Sequence, residues 1–126
     1  MNYCEVCGAP AELHHVIFRS QAPYMANIKV NFKYLCSKHH RGNLSPHMKR
    51  AIDLKYKIQL QERLYKVFKD KEYYKANEIK ELLETTESEI NKLTKTLKVY
   101  KEGYKATEII KHCLGGRFYQ WKIKIT

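Results

Sequence analysis

The stretch His14–His40, HHVIFRSQAPYMANIKVNFKYLCSKHH, decides how this chain is read. It opens on adjacent histidines, passes Asn31 and closes on a second adjacent pair, His39 and His40. Upstream stands Cys4-x-x-Cys7, and Cys36-x-x-His39 answers it with the same spacing. Two sets of metal-binding side chains are therefore interleaved in the first third of the chain.

The outer set, Cys4, Cys7, Cys36 and His39, has the pattern of a structural zinc site. Ligand pairs of this spacing form knuckles, and two knuckles separated by a loop close a tetrahedron. The plainer alternatives are three buried thiols with a surface histidine, or a redox-active Cys-x-x-Cys pair. The redox reading fits poorly without a βαβ pattern around it.

The inner set is His14, His15, Asn31 and His40, with Arg19 downstream of the double histidine. Over residues 1–50 this resembles the HNH endonuclease family. The resemblance implies a ββα-metal module, in which a β-hairpin and a following helix clasp one catalytic divalent metal, Mg2+, Mn2+ or another transition metal. It implies that His14 and His40 are metal ligands and His15 the general base. Asn31 would pin the loop that aims His15. A phage or prophage setting is the company such compact nucleases keep.

The residue types suit that chemistry. Phosphodiester hydrolysis needs a deprotonated water in line with the scissile bond and a cation at the leaving oxygen. Imidazole titrates near neutrality, so His15 can accept the proton. Neighbouring strand residues point to opposite faces, which separates the jobs of His14 and His15. The rival reading is a zinc-stabilised DNA-binding regulator that cuts nothing.

Three features depart from the family pattern. His39 replaces the usual fourth cysteine. Leu44 stands where colicin-like members carry a third histidine ligand, leaving His47 as a candidate substitute, a phosphate contact or a surface histidine. Gly42 and Ser45-Pro46 should delay the next helix.

The whole chain has 126 residues and a net charge of +11, from 24 basic and 13 acidic side chains. That balance favours a polyanionic partner, which the resemblance implies is DNA; a membrane surface is the other polyanion, but no basic amphipathic anchor stands out. A module of some fifty residues buries little core, so a metal site is expected to share the work. No apolar run approaches the about eighteen residues needed to span a bilayer, and no signal peptide is read before Cys4. With three of four cysteines claimed by knuckles, a reducing, cytoplasmic location is expected and no membrane partner. Cys113, among Ile109, Ile110 and Leu114, reads as core. The sequence leaves the oligomeric state open.

Strands are expected on both sides of a long Arg19–Lys29 loop, from which Arg19 and Lys29 can reach phosphate or simply be solvated. Ser45-Pro46 looks like an N-cap followed by proline at the first helical position. Met48, Ile52, Tyr56, Leu60 and Leu64 then recur every fourth residue, with Val67 and Phe68 closing the stripe. This predicts a helix over 46–69, with Lys55, Lys57, Arg63 and Lys66 solubilising its outer side.

Beyond Lys71 the hexamer Tyr74–Ile79, YKANEI, recurs as Tyr104–Ile109, YKATEI, each resembling a helix opening. Between them Ile79, Leu83, Ile90 and Leu93 sit at helix-turn-helix spacings, with a turn at Thr85-Thr86. A helix over 87–100 then carries Lys92, Lys95 and Lys98 as a surface for a DNA groove. Lys80 and Glu84 stand where that motif favours a small residue and a glycine, so an ordinary three-helix bundle is an equal reading. A helix over 107–114 should end at Gly115-Gly116, followed by an alternating strand over 119–125. The fold expected is α+β: residues 1–70 as the HNH module with its long helix, residues 71–126 as a helical DNA-docking region closing on a short strand.

Overall fold

The computed structural model describes residues 1–121. Their architecture is mixed α+β, with five α-helices and two small antiparallel sheets. The first sheet pairs β1 (Glu12–His15) with β2 (Phe32–Leu35), in a register that sets His14 opposite Lys33 and His15 opposite Phe32. The sheet leads directly into α1 (Ser37–Arg41), a five-residue helix capped by Cys36.

The excursion between β1 and β2 is not an open loop. Ile17, Ala22, Met25 and Ile28 are all fully buried, and one-turn 3₁₀ helices form at Pro23–Met25 and Lys29–Asn31. Four apolar anchors at irregular spacing tie this segment into the core, while Arg19 and Lys29 stay exposed. Burial of each such anchor is worth about 1.5–3 kcal/mol for the larger side chains.

The long helix α2 covers Arg50–Val67, four residues shorter at its start than the stripe predicts. Ser45 does cap, with its Oγ accepting from Met48 N–H at 3.3 Å, but it caps a turn that ends at Lys49. Met48 is consequently exposed, and the buried stripe runs through Tyr56, Leu60, Leu64 and Phe68. Lys57 departs from expectation altogether. It is 3% exposed, its ammonium lies 2.8 Å from Asp53 Oδ2 one turn earlier, and it sits 4.2 Å above the Phe18 ring. A buried lysine needs such a partner, because an unpaired charge would be too costly to desolvate.

The repeated hexamers have a shared structural role. Tyr73–Tyr74 (β3) and Tyr104–Lys105 (β4) pair antiparallel with each other. Each strand runs straight into a helix, α3 (Ala76–Leu82) and α5 (Ala106–Cys113). The caps are Lys75 and Lys105, each immediately before its helix and one or two residues ahead of Ala76, Asn77 and Thr107, the residues that suggest a cap in the hexamers. Gly103 is required here: a Cβ at that position would lie 2.6 Å from the Tyr74 carbonyl oxygen. Between the copies, α4 (Glu87–Thr94) begins at Thr86, whose Oγ1 accepts from Glu89 N–H at 3.3 Å. It stops at Thr94, well short of residue 100.

Ile79, Leu83, Ile90 and Leu93 are all buried between α3, α4 and their neighbours. Glu84, at the glycine position of the motif, adopts φ +52°, the left-handed conformation that favours glycine. The helix α5 ends at Gly115 and Gly116, both at positive φ. Residues 119–121 form no strand, and the rest of the expected closing strand lies outside the described residues.

The two regions pack on one another. The Tyr24 ring stacks on His112 at 4.1 Å between centroids, and its hydroxyl donates to the His112 carbonyl at 2.7 Å. The Pro23–Met25 turn thereby forms a seat for α4 and α5. Among the described residues no helix is long and apolar enough to cross a membrane.

Candidate metal centres and histidine cleft

The Cys4–Cys7 knuckle is shaped by backbone bonds within one turn. Cys4 N–H donates to the Ala9 carbonyl at 2.7 Å, and Gly8 N–H donates back to the Cys4 carbonyl at 2.9 Å with Gly8 at φ +79°. The second knuckle is the start of α1, where Cys36 and His39 lie one turn apart. The ligand atoms of Cys4, Cys7, Cys36 and His39 all fall within 4.8 Å of one another and can hold a metal ion.

The spacings are consistent with zinc. Tetrahedral bonds of about 2.3 Å to sulfur and 2.0 Å to nitrogen give edges of about 3.7 Å for S···S and 3.5 Å for S···N. Cys7 Sγ and Cys36 Sγ are 3.7 Å apart, and Cys4 Sγ lies 3.6 Å from His39 Nδ1. Cys36 Sγ to His39 Nδ1 is tighter, at 3.2 Å. Burial alone would push the Cys4 thiol up, yet the backbone N–H groups of Cys36, Cys7 and Val6 bring it down to about 6. A thiol so tuned is readily the thiolate that metals bind.

The second cluster lies on the other side of α1. His14, His40 and His47 also place one nitrogen each within 4.8 Å of the others. His40 Nδ1–H donates to Glu12 Oε1 at 2.7 Å, so its Nε2 carries the free lone pair, and that atom lies 3.0 Å from His47 Nε2. Adjacent ligands of an octahedral ion with bonds of about 2.1 Å are separated by about 3.0 Å. His14 Nε2 is buried with no hydrogen-bond partner. A buried imidazole nitrogen without a partner, close to two others, forms a group that could hold a metal ion.

The electrostatics favour the neutral form of His14 and His47, the form that binds metals. Burial, then the rings of His40, His47 and His15 and the Lys57 ammonium, drive the His14 imidazole down to about 3. Burial and His40 lower His47 as well. The His40 hydrogen bond, with Arg41 beside it, holds the Glu12 carboxyl below the usual carboxylate range. A carboxylate behind a histidine ligand orients its ring and strengthens it as a donor.

His15 has a different environment, as its place on the strand predicts. Its Nε2–H donates to the Ala26 carbonyl at 2.9 Å, which leaves Nδ1 as the basic nitrogen. Asn31 fastens the residue before Ala26, Met25, to the start of the excursion. Fully buried, its Oδ1 accepts from Ile17 N–H at 2.7 Å, and its Nδ2 donates to the carbonyls of Ile17 at 3.0 Å and Met25 at 3.3 Å. The carboxamide staples both ends of the excursion and touches no ligand atom.

A cleft of about 350 Å³ joins these groups, lined among others by His14, His15, Phe18, Arg19, His40 and His47. The structure thus gathers His14, His15, His40, His47 and Arg19 in one place. Lys29, Lys92, Lys95 and Lys98 lie outside its lining, all four exposed. Leu44 is solvent-facing. Sequence reasoning missed Glu12 and the Ala26 carbonyl. Glu12 was within reach, since it sits two residues before His14 and so on the same strand face.

No family model, no curated protein and no solved structure matches this chain.

Proposed function

We propose that the protein is a metal-dependent DNA endonuclease of the HNH kind, with a structural zinc in the Cys4, Cys7, Cys36 and His39 site. The observation that carries the reading is the pairing of a three-histidine cluster with a separate histidine, His15, that lines the same cleft. His14, His40 and His47 would hold a divalent ion, which when bound supplies charge stabilisation at the leaving oxygen.

The protein's own groups account for the rest of the reaction. His15 Nδ1 takes the proton from the attacking water, and the Ala26 carbonyl steadies the imidazolium that forms. Asn31 holds the neighbouring Met25 in position without entering the chemistry. Arg19, on the cleft rim, offers a guanidinium to the scissile phosphate. Away from the cleft, α3 and α4 form a two-helix unit; exposed Lys92 on α4, with Lys95 and Lys98 just past its end, suits a DNA backbone, and we assign this unit the docking role.

Supercoiled plasmid incubated with the protein and Mg2+ or Mn2+ tests this directly. Relaxed or linear product that depends on added divalent metal is the expected result. Tight DNA binding with no metal-dependent product would move the assignment to the non-catalytic regulator.

A further inference from the structure

Past α5 the chain returns along α2 with neither helix nor strand, yet it is held closely. Gln61 Nε2 donates to the Tyr119 carbonyl at 2.8 Å, and Tyr119 N–H donates to Gln61 Oε1 at 2.7 Å. This two-point clamp buries Tyr119 and turns its neighbours outward, with Phe118 42% and Trp121 53% exposed. Between this segment and the first half of α2 lies a groove of about 620 Å³, within the range of ligand sites. Phe18, Arg50, Asp53, Lys57, Phe118 and Trp121 are among its walls.

We infer that this groove takes a single strand of nucleic acid, with unpaired bases stacked on Phe118 and Trp121 as the strand leaves the histidine cleft. The inference rests on the nuclease reading above and specifies its substrate, a nucleic acid unpaired beside the scissile phosphate.

Three observations support it. The groove and the cleft meet at Phe18, whose ring stacks on His47 at 5.4 Å and 26°. Lys57 and Asp53 cancel each other, so the groove's charge comes from Arg50 and Arg117, neither of which has a carboxylate partner among the described residues. Guanidinium groups together with part-exposed aromatic rings, here Trp121 and Phe118 (the latter backed by Tyr65 at 6.3 Å between centroids), are what an unpaired strand requires: contacts for phosphates and π-faces for bases. A purely apolar partner would leave both arginines desolvated and unpaired.

Trp121 is the one tryptophan in the chain and reports on the groove by itself. The test uses full-length His15→Ala protein without added divalent metal, titrated with oligothymidylate or with a duplex of equal length. Saturable quenching of Trp121 emission by the single strand, and weaker quenching by the duplex, are expected. Phe118→Ala should weaken single-strand binding about five- to 150-fold. Replacing Arg50 and Arg117 with Gln should reduce the slope of log affinity against log salt by about 1.4. None of the three side chains makes the Gln61–Tyr119 hydrogen bonds, although the Arg117 guanidinium lies 5.0 Å from the Tyr119 ring centroid, so an unchanged melting temperature is required to verify the fold.

Binding seen by anisotropy of a labelled oligonucleotide without any change in Trp121 emission overturns the groove, as does failure of the single strand to bind. Emission that changes with protein concentration alone overturns it in favour of a second copy. Plasmid cutting by the parent separates the two claims: cutting without quenching removes the groove and keeps the nuclease, and quenching without cutting does the reverse.

Discussion

Glu12 Oε1 lies 2.7 Å from His40 Nδ1, joining the first strand to the short helix across a sequence separation of 28 residues. The carboxylate fixes which nitrogen of His40 faces the cluster. Glu12→Ala should therefore leave the chain folded and weaken divalent-metal affinity about 10- to 100-fold. The metal concentration giving half-maximal plasmid cleavage measures this, and an unchanged value would dismiss Glu12 as a supporting group.

Purified protein should carry one tightly bound zinc per chain. Cys36→Ser should unfold the N-terminal region, since the binding free energy of such sites is largely folding free energy. Elemental analysis of reduced protein never exposed to chelator settles the stoichiometry. Finding no zinc there would sink the assignment.

The two histidines of β1 should fail differently. His15→Ala loses the base, about a hundred- to ten-thousandfold in rate, while retaining both metals. Added imidazole should restore part of that rate. His14→Ala should instead respond to more metal and not to imidazole. Parent-like cutting by His15→Ala, in preparations free of contaminating nuclease, would refute the mechanism.

Charge reversal of Lys92, Lys95 and Lys98 should weaken DNA binding and flatten its salt dependence, because fewer counterions are released. Lys92 lies 3.4 Å from Glu89, so Lys95 and Lys98 should account for most of the effect. Cleavage at saturating DNA should barely change. If the salt slope stays the same in the triple variant, α4 is an ordinary bundle helix.

Burial lowers His112 below its ordinary value. The unfolded chain therefore binds a proton more readily than the folded one as pH falls through about 6.5. Stability should drop below that pH, by at most about 1.4 kcal/mol per pH unit from this group. His112→Phe, which preserves the stack on Tyr24, should flatten the acid limb of a denaturation-midpoint profile. An identical limb in the variant would show that other groups control it.

Local spacing made much of this legible. Both knuckles, the double histidines and the apolar positions of α3 and α4 can be read from intervals along the chain. What escaped depends on contacts between elements. His47 reaches the cluster only because the turn over 42–49 folds back on α1, and no periodicity announces such a turn. Lys57 reads as surface until Phe18 is known to cover it, although Asp53 at the i−4 position was a visible cue. The excursion after β1 looked open because its anchors, Ile17, Ala22, Met25 and Ile28, follow neither helical nor strand spacing. The shorter α4 ends at Thr94, whose hydroxyl donates to the Ile90 carbonyl at 2.8 Å.

His39 and His40 are consecutive on a helix of five residues, one turned to the cysteine cluster and the other to the histidine cluster. So short a helix has little stability of its own. Its pose is held from β1 through Glu12, which bonds both His40 and Arg41. On the proposed reading, zinc at Cys36 and His39 would add the second hold on that helix, and so on the perch from which His40 would receive the other ion. Starving the protein of zinc should silence it even when the second metal is plentiful.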